Sequence, residues 1–302
     1  MKKSTMKPSV TVLLLCWNHE RYLEQCIGAL AAQTSRDFNI IFLDNVSSDG
    51  SAALAARLLA KSGISHGILT NDRPQTISTN LNRMLKESNG SLVSFLSTDD
   101  WLAPRYVEAM TQTARKHPAI GWFSCGGWFV DKLTGALEPR EKSSFEGRED
   151  IIAELIAGNE PFFFAGHCYR RSLLVEIGGW DDDQLIEDAD LFFRLAQQTR
   201  HLIVDEKLFY YRKHHGSASL NPTFMVKGMD KFFEKHCMAF PDRARNNRSI
   251  FYRHSAARYA DLDQGWSSIR TAWRAVRIRP FVAINWRTLL YGLRVFLRRG
   301  EA

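Results

Sequence analysis

The strongest constraint on how this chain can fold is the alternation that fills its first hundred residues. VTVLLLC (10–16), NIIFLD (39–44), HGILT (66–70) and SLVSFL (91–96) are short apolar runs with the length and β-branched or leucine-rich character of strands. Between them, residues 20–33, 48–63 and 77–90 space apolar side chains every three or four positions. The second of these opens on a Ser/Asp start signal and closes on Gly63. Strands alternating with helices of this length predict βαβ units, right-handed crossovers and a parallel sheet. The expected fold class is α/β: a mostly parallel central sheet flanked by helices, with a C-terminal helical extension. After residue 104 the order is less regular. Helices are expected at 104–118, 147–158 and 185–199, and strands at 120–131 and 167–170. A strand, a turn and a loop then cover HLIVDEKLFYYRKHHGSAS.

At 302 residues the chain is long enough for one large α/β domain and an appendage. The expected division is 1–220 and 221–302, and charge marks it. Residues 221–302 carry 16 Lys and Arg against 6 Asp and Glu, a net of +10, whereas the remainder carries 24 against 27. The near-neutral main body argues against a nucleic-acid partner. TVLLLC is too short for the apolar region of a signal peptide, and no 18-residue uncharged apolar stretch predicts a spanning helix. Cys16, Cys26, Cys125, Cys168 and Cys237 are odd in number and lack CxxC spacing. They read as reduced thiols of a cytosolic protein, not a disulfide frame or zinc site.

The expected strands end in polar residues. The first ends at Cys16-Trp17-Asn18, the second at Asp44-Asn45, and the fourth at Ser97-Thr98-Asp99-Asp100. Two adjacent acids cannot stay in a core uncompensated. In a parallel sheet the carboxyl ends of strands share one rim, where ligands bind. Trp17 offers a face for a base, Asp44 an acceptor for a ring N–H or ribose hydroxyl, and Asp99 or Asp100 a hard-cation site beside phosphates. Each has a structural alternative: a packed loop for Trp17, a turn and cap for LDNVSSDGS, and a helix cap at Ser97 or Thr98 leading into DDWLAP. No GxxxxGK[ST] is present, and no GxGxxG joins the first strand to its helix, so a P-loop or classical dinucleotide fold is disfavoured.

In order, these segments resemble the family 2 glycosyltransferases, with their A-type nucleotide-sugar-binding fold, of the kind that builds bacterial surface polysaccharides. The resemblance runs over roughly residues 9–220. It rests on the Asn-containing loop after the first strand, LDNVSSDGS, Asn82 in LNRMLKESNG, SerThrAspAsp at 97–100, GGWDDDQLIEDADLFFRLA, and YYRKHHGSAS. It implies a metal-dependent, inverting transfer of a sugar from a nucleotide diphosphate, a UDP-sugar foremost, to a hydroxyl of a saccharide or lipid-linked saccharide. The donor nucleotide would meet Cys16, Trp17, Asn18, Asp44, Asn45, Asn82, Ser97 and Thr98. A divalent metal, Mn²⁺ or Mg²⁺, would be held by Asp99 with Asp100 and His214, and Arg212 would steady the diphosphate. Asp188 matches the family's base, with Glu187 beside it. By their residues alone, Glu187, Asp188 and Asp190 are also the acids that a helix start favours.

The chain departs from the family pattern twice. Leu15 stands where proline is usual, and Ser97 replaces the first acid of Asp-x-Asp, a position that contacts the ribose in the family. Two other activities share parts of this pattern: a nucleotidyltransferase of similar fold, and a sugar-binding subunit without catalysis. The first expects a glycine-rich basic loop after the opening strand, and CWNHERYLEQ has no glycine; the second expects a lost base or metal acid. Asp181, Asp182 and Asp183 form either an acceptor-touching run or a solvated turn. His167 is either a site residue or a packed strand-end histidine.

In the tail, Pro280 separates two helical segments. Arg287, Arg294 and Arg298 share a narrow arc of the second. Leu289, Leu290, Leu293, Phe296 and Leu297 form a broad arc beside them. This pattern fits either peripheral contact with the inner face of the cell membrane or a helical hairpin packed on the catalytic domain.

Overall fold

A computed structural model describes residues 9–131, 137–140, 148–157, 163–214, 220–238 and 240–298. His215 and the rest of the 215–219 loop lie outside the described residues. The chain divides into two compact units. One comprises Met1–Ile151, Pro161–Asp183 and Asp190–His214; the other comprises Ile152–Glu160, Gln184–Ala189 and His215–Ala302.

The first unit opens with β1 (Val10–Cys16), α1 (Glu20–Ala31), β2 (Phe38–Asp44), α2 (Ser51–Ser62), β3 (His66–Thr70), α3 (Ile77–Glu87) and β4 (Leu92–Ser97). These follow the expected alternation. Every residue of β1 and β2 is buried, because a parallel sheet with helices on its faces leaves no wet side. Thr76 caps α3 by accepting the Thr79 N–H at 3.1 Å.

Next come β5 (Trp101–Leu102), α4 (Tyr106–Lys116), β6 (Trp122–Asp131), β7 (Leu137–Arg140), α5 (Arg148–Ala157), β8 (Cys168–Arg170), α6 (Arg171–Glu176), α7 (Glu187–Gln198) and β9 (His201–Lys213). The sheet order is β3-β2-β1-β4-β8-β6-β9-β5, with β7 paired to β6. The run β3-β2-β1-β4 is parallel throughout. Beyond it the sheet is mixed: β8 is antiparallel to β4 and β6, β6 and β9 are parallel, and β5 is antiparallel to β9.

Two local expectations change. No helix starts at the SerThrAspAsp junction: 98–100 form a turn, Trp101 and Leu102 form β5, and α4 begins only at Tyr106. The helix-cap alternative therefore fails there. RSLLVE, to which the sequence pattern assigns no element, forms α6. His167 is a packed core residue, 4 % exposed. Its Nδ1 accepts from Trp122 Nε1 at 2.9 Å, and its Nε2 lies 2.8 Å from the Phe163 carbonyl. All five cysteines are buried and free.

The second unit is helical: α8 (Pro222–His236), α9 (Pro241–Asp261), α10 (Gly265–Ile278) and α11 (Ala283–Arg298). Arg274 grips Asp230 through two nitrogens at 2.9 and 2.6 Å and lies 4.0 Å from the Tyr252 ring centre. α10 and α11 are antiparallel and very close. A Cβ on Gly265 would sit 2.7 Å from the Phe296 backbone, and one on Gly292 2.6 Å from Ser268 Oγ. The buried residues of α11 are Asn285, Gly292 and Val295. Leu290, Leu293, Phe296 and Leu297 are exposed, so the apolar arc read from the sequence is not the packing face.

Candidate active site

The strand order places a switch point between β1 and β4: the chain moves outward through β2 and β3, then returns to the other side of β1. Crevices at such points, outside the carboxyl ends of the strands, bind ligands. Register aligns that rim, with Cys16 beside Asp44, Leu15 beside Ser97, and Asp44 beside Thr70.

The loops after β1 and β2 are tied together. Asn18, at φ 56°, donates its N–H to Ser47 Oγ at 2.9 Å and accepts the Ser48 N–H at 2.7 Å. His19 N–H donates to Ser51 Oγ, and Glu20 Oε2 accepts the Gly50 N–H at 2.9 Å. Asp44 Oδ2 accepts the Ser47 N–H at 2.9 Å, while its buried Oδ1 has no hydrogen-bond partner. A buried and open acceptor is what a ring N–H or a hydroxyl requires. Trp17, 56 % exposed, stands on the same rim. A polar cleft lined by Thr70, Asn71, Gln75, Asn80 and Arg83 adjoins Asp44.

Several residues expected at the donor have architectural partners within the fold. The Asn45 amide is engaged at both ends: its Oδ1 accepts from Asn71 Nδ2 and the Gln75 N–H, and its Nδ2 donates to the Gln75 carbonyl. Asn82 clamps the backbone of Trp180, donating to its carbonyl at 2.6 Å and accepting its N–H at 2.9 Å. That clamp explains the second glycine of the pair. Gly179 has φ +72°, and a Cβ there would lie 2.3 Å from Asn82 Oδ1. Asp182 joins the same turn by accepting from Thr79 Oγ1 at 3.0 Å. Cys16 is buried, and burial pushes its thiol up. Ser97 stays half-buried at the end of β4.

Antiparallel pairing of Trp101 with Tyr210 carries 99–100 alongside 211–214. His214 Nε2 lies 2.8 Å from Asp99 Oδ2, and His19 Nδ1 lies 3.9 Å from Asp99 Oδ1. Donor atoms of His19, Asp99 and His214 all fall within 4.8 Å of one another. Thr98, fully buried, sets the His19 ring, its Oγ1 2.9 Å from Nδ1. Burial alone would raise the Asp99 carboxyl, but the His214 hydrogen bond and the His19 ring hold it below its ordinary value. Burial lowers the His19 imidazolium. An anionic carboxylate and a neutral imidazole are the ligand-ready forms. Asp99 Oδ1 is also buried without a hydrogen-bond partner. Two imidazoles, one carboxylate and an open buried oxygen fit a divalent cation.

Asp100 stands outside this group. Its Oδ1 accepts the Arg212 N–H at 2.7 Å, and burial, with Asp99's charge, raises its carboxyl well above the ordinary range. Arg212 braces the turn: Nε donates to the Asp99 carbonyl at 2.9 Å, and Nη2 donates to Gln25. Its guanidinium lies 4.7 Å from the Tyr22 ring centre and 4.8 Å from that of Trp101. His19 was missed in the sequence. Its one signal was position, a histidine in the loop that ends β1 on the ligand-bearing rim.

Glu187 and Asp188 open α7 and belong to the second unit. Asp188 Oδ1 accepts the Ala189 N–H at 2.7 Å. Burial raises both carboxyls, and the Asp188 charge raises Glu187 further. Asp190 is an ion-pair residue, 2.7 Å from Arg194 Nε, and Arg194 also donates to the Ile177 and Gly179 carbonyls.

A switch-point crevice with an open acid on one strand end and a cation-fitting group on another is a ligand site of the kind that α/β folds of this topology carry. Residues 11–178 match the Glycosyl transferase family 2 profile, and the chain belongs to that family. It is 25 % identical over 215 residues to the glycosyltransferase EpsH of Bacillus subtilis; the match covers 71 % of this chain and 58 % of EpsH. It is 25 % identical to the GalNAc(5)-diNAcBac-PP-undecaprenol beta-1,3-glucosyltransferase of Campylobacter jejuni, covering 87 % of this chain and 86 % of that one. The mannosyltransferase PcManGT from Pyrobaculum calidifontis, solved in complex with GDP-Man and Mn²⁺, shares the fold. Its TM-score is 0.58 at 16 % identity, over 97 % of this chain and 87 % of that one.

Proposed function

We propose that the chain is a metal-dependent, inverting glycosyltransferase that moves a sugar from a nucleotide diphosphate, a UDP-sugar foremost, to a hydroxyl of a saccharide or lipid-linked saccharide in cell-surface polysaccharide synthesis. The observation that carries this reading is the Asp99–His214 contact on the rim that also holds the open Asp44 oxygen. Asp44 Oδ1 accepts a base N–H or ribose hydroxyl, and Trp17 covers the base. Ser97, at the end of β4, is within the arc expected to meet the ribose. Asp99 and His214 would hold the cation beside the donor's diphosphate, and their mixed nitrogen and oxygen set favours Mn²⁺ over Mg²⁺. Once bound, the cation stabilises charge on the departing diphosphate.

Asp188 takes the proton of the acceptor hydroxyl as that oxygen bonds to the anomeric carbon and the bond from this carbon to the diphosphate oxygen breaks. A single attack from the face opposite the leaving group inverts the centre. The reading puts the enzyme in the cytoplasm, peripheral to the inner face of the membrane. Among the described residues no helix is long and apolar enough to cross a membrane.

The test is a nucleotide-sugar screen with Mn²⁺, read by thermal shift and by nucleotide diphosphate release. A donor that raises the melting temperature only with its cation, and is then turned over, supports the reading. If no nucleotide-sugar shifts or reacts, the reading is wrong.

A further inference from the structure

α10 and α11 use their small residues to pack and turn their large apolar ones to solvent. On α10, Trp266, Arg270, Trp273 and Arg277 follow one another at i, i+4, i+7 and i+11, a single stripe at about 100° per residue. All four are exposed. On α11, Arg287, Arg294 and Arg298 lie next to Leu290 and Leu297, with Trp286 and Leu293 on the flank, and all of these are exposed too. Between the helices Phe281 is 100 % exposed. The two stripes meet: Trp273 and Trp286 lie edge to face at 6.1 Å, and Trp266 lies 6.0 Å from Phe296.

A solvated helix face calls for charge, not five tryptophan and phenylalanine side chains and three leucines, and a contiguous apolar surface of this kind marks an interaction site. Neither helix contains Asp or Glu. The residues on the face are tryptophan, phenylalanine, leucine and arginine with Tyr291, whose hydroxyl donates to Asp261 of α9 at 3.1 Å. That set suits a boundary with apolar chains below and anionic groups above, tryptophan having an apolar body and a polar tip and arginine an apolar stem.

We infer that the α10–α11 hairpin lies in the plane of an anionic phospholipid bilayer, with Trp266, Trp273, Phe281, Leu290 and Leu297 entering the acyl boundary and Arg270, Arg277, Arg287, Arg294 and Arg298 meeting lipid phosphates. This deepens the proposed function by naming the membrane surface, yet it can fail while the transfer activity stands. A second copy of the chain fits the face less well, since five arginines would meet five arginines.

The experiment is co-sedimentation of the full chain with vesicles of phosphatidylcholine alone or with phosphatidylglycerol, at low and high salt. Nucleotide-sugar turnover with a soluble acceptor is followed in parallel. Binding to the anionic vesicles, weakened by salt, is expected. Combining Arg287→Gln, Arg294→Gln and Arg298→Gln should lower partitioning about a hundredfold, each charge contributing about 1 kcal/mol. Leu290→Gln with Leu297→Gln should lower it on every vesicle without changing soluble turnover. Both sets lie on exposed positions, so the fold is retained, which circular dichroism checks. Equal sedimentation with and without vesicles overturns the inference. So does a dimer, seen by analytical ultracentrifugation, that the leucine substitutions dissolve.

Discussion

His214 Nε2 stands 2.8 Å from Asp99 Oδ2 across 115 residues of sequence, joining the end of β9 to the end of β4. This contact brings an imidazole and a carboxylate to the rim where β1 and β2 present Trp17 and Asp44. It also separates the two adjacent acids, since Asp99 faces the histidines and Asp100 faces the Arg212 amide.

The cation group is expected to depend on all three side chains. Asp99→Asn should lower transfer by about two to three orders of magnitude, as loss of a transition-state charge stabiliser does. His19→Ala should weaken Mn²⁺ binding about 10- to 100-fold, and Thr98→Val, which frees the His19 ring, by less. Electron paramagnetic resonance titration of Mn²⁺ measures each affinity directly. An unchanged affinity in His19→Ala would remove His19 from the site.

Asp44→Ala removes the open buried acceptor. Nucleotide binding by calorimetry should weaken about tenfold, the scale of one lost hydrogen bond. Asn45→Ala should act mainly through the 71–75 loop and lower stability, because its amide is already committed there.

If Asp188 is the base, it must be ionised to work, and burial raises its carboxyl above the ordinary range. Activity is therefore expected to rise with pH across a region above the usual carboxylate range, as the proton leaves. Asp188→Asn should cost about 10²- to 10⁴-fold in kcat and abolish that rising limb, with donor affinity preserved. A retained limb would assign it to another group.

Gly179→Ala places a Cβ against Asn82 Oδ1 in a left-handed backbone. Stability should fall by about 1–3 kcal/mol in urea unfolding. Asn82→Ala should cost a similar amount by leaving the Trp180 backbone groups unpaired. Donor affinity per folded molecule should change little, which separates a structural Asn82 from a donor-binding one.

Acid should destabilise the first unit. Burial drops the His167 imidazolium to about 3 from its ordinary 6.5, and lowers His201 as well. Above pH 6.5 these rings are neutral in both folded and unfolded chains. As pH falls below 6.5 only the unfolded chain gains the proton. Stability should then decline by about 1.4 kcal/mol per pH unit for each histidine until the folded form also protonates. Urea unfolding at pH 7 and pH 5 measures the slope.

Local pattern determined much of this protein. Leucine and valine runs broken at helix-length intervals dictate β1 to β4, and parallel strands put Cys16, Asp44 and Ser97 on one rim whatever the rest of the chain does. The ordered motifs sufficed for the family and for Asp99, His214 and Arg212 as candidates. Tertiary structure decided the partners. Asp99 and Asp100 are chemically identical, and only β9 laid against their turn gives one a histidine and the other a backbone amide. Asn45 and Asn82 look like ligand contacts until Gln75 and Trp180 are seen to occupy their amides. His19 has no sequence partner at all, because its neighbours Thr98, Asp99 and His214 are far away in the chain. On α11, helical periodicity located an apolar arc and an arginine arc but not that both stay exposed while a third face, of Asn285, Gly292 and Val295, is buried. Gly265 and Gly292 settled that: close backbone approach of α10 and α11 through small residues leaves no room for the large ones inside.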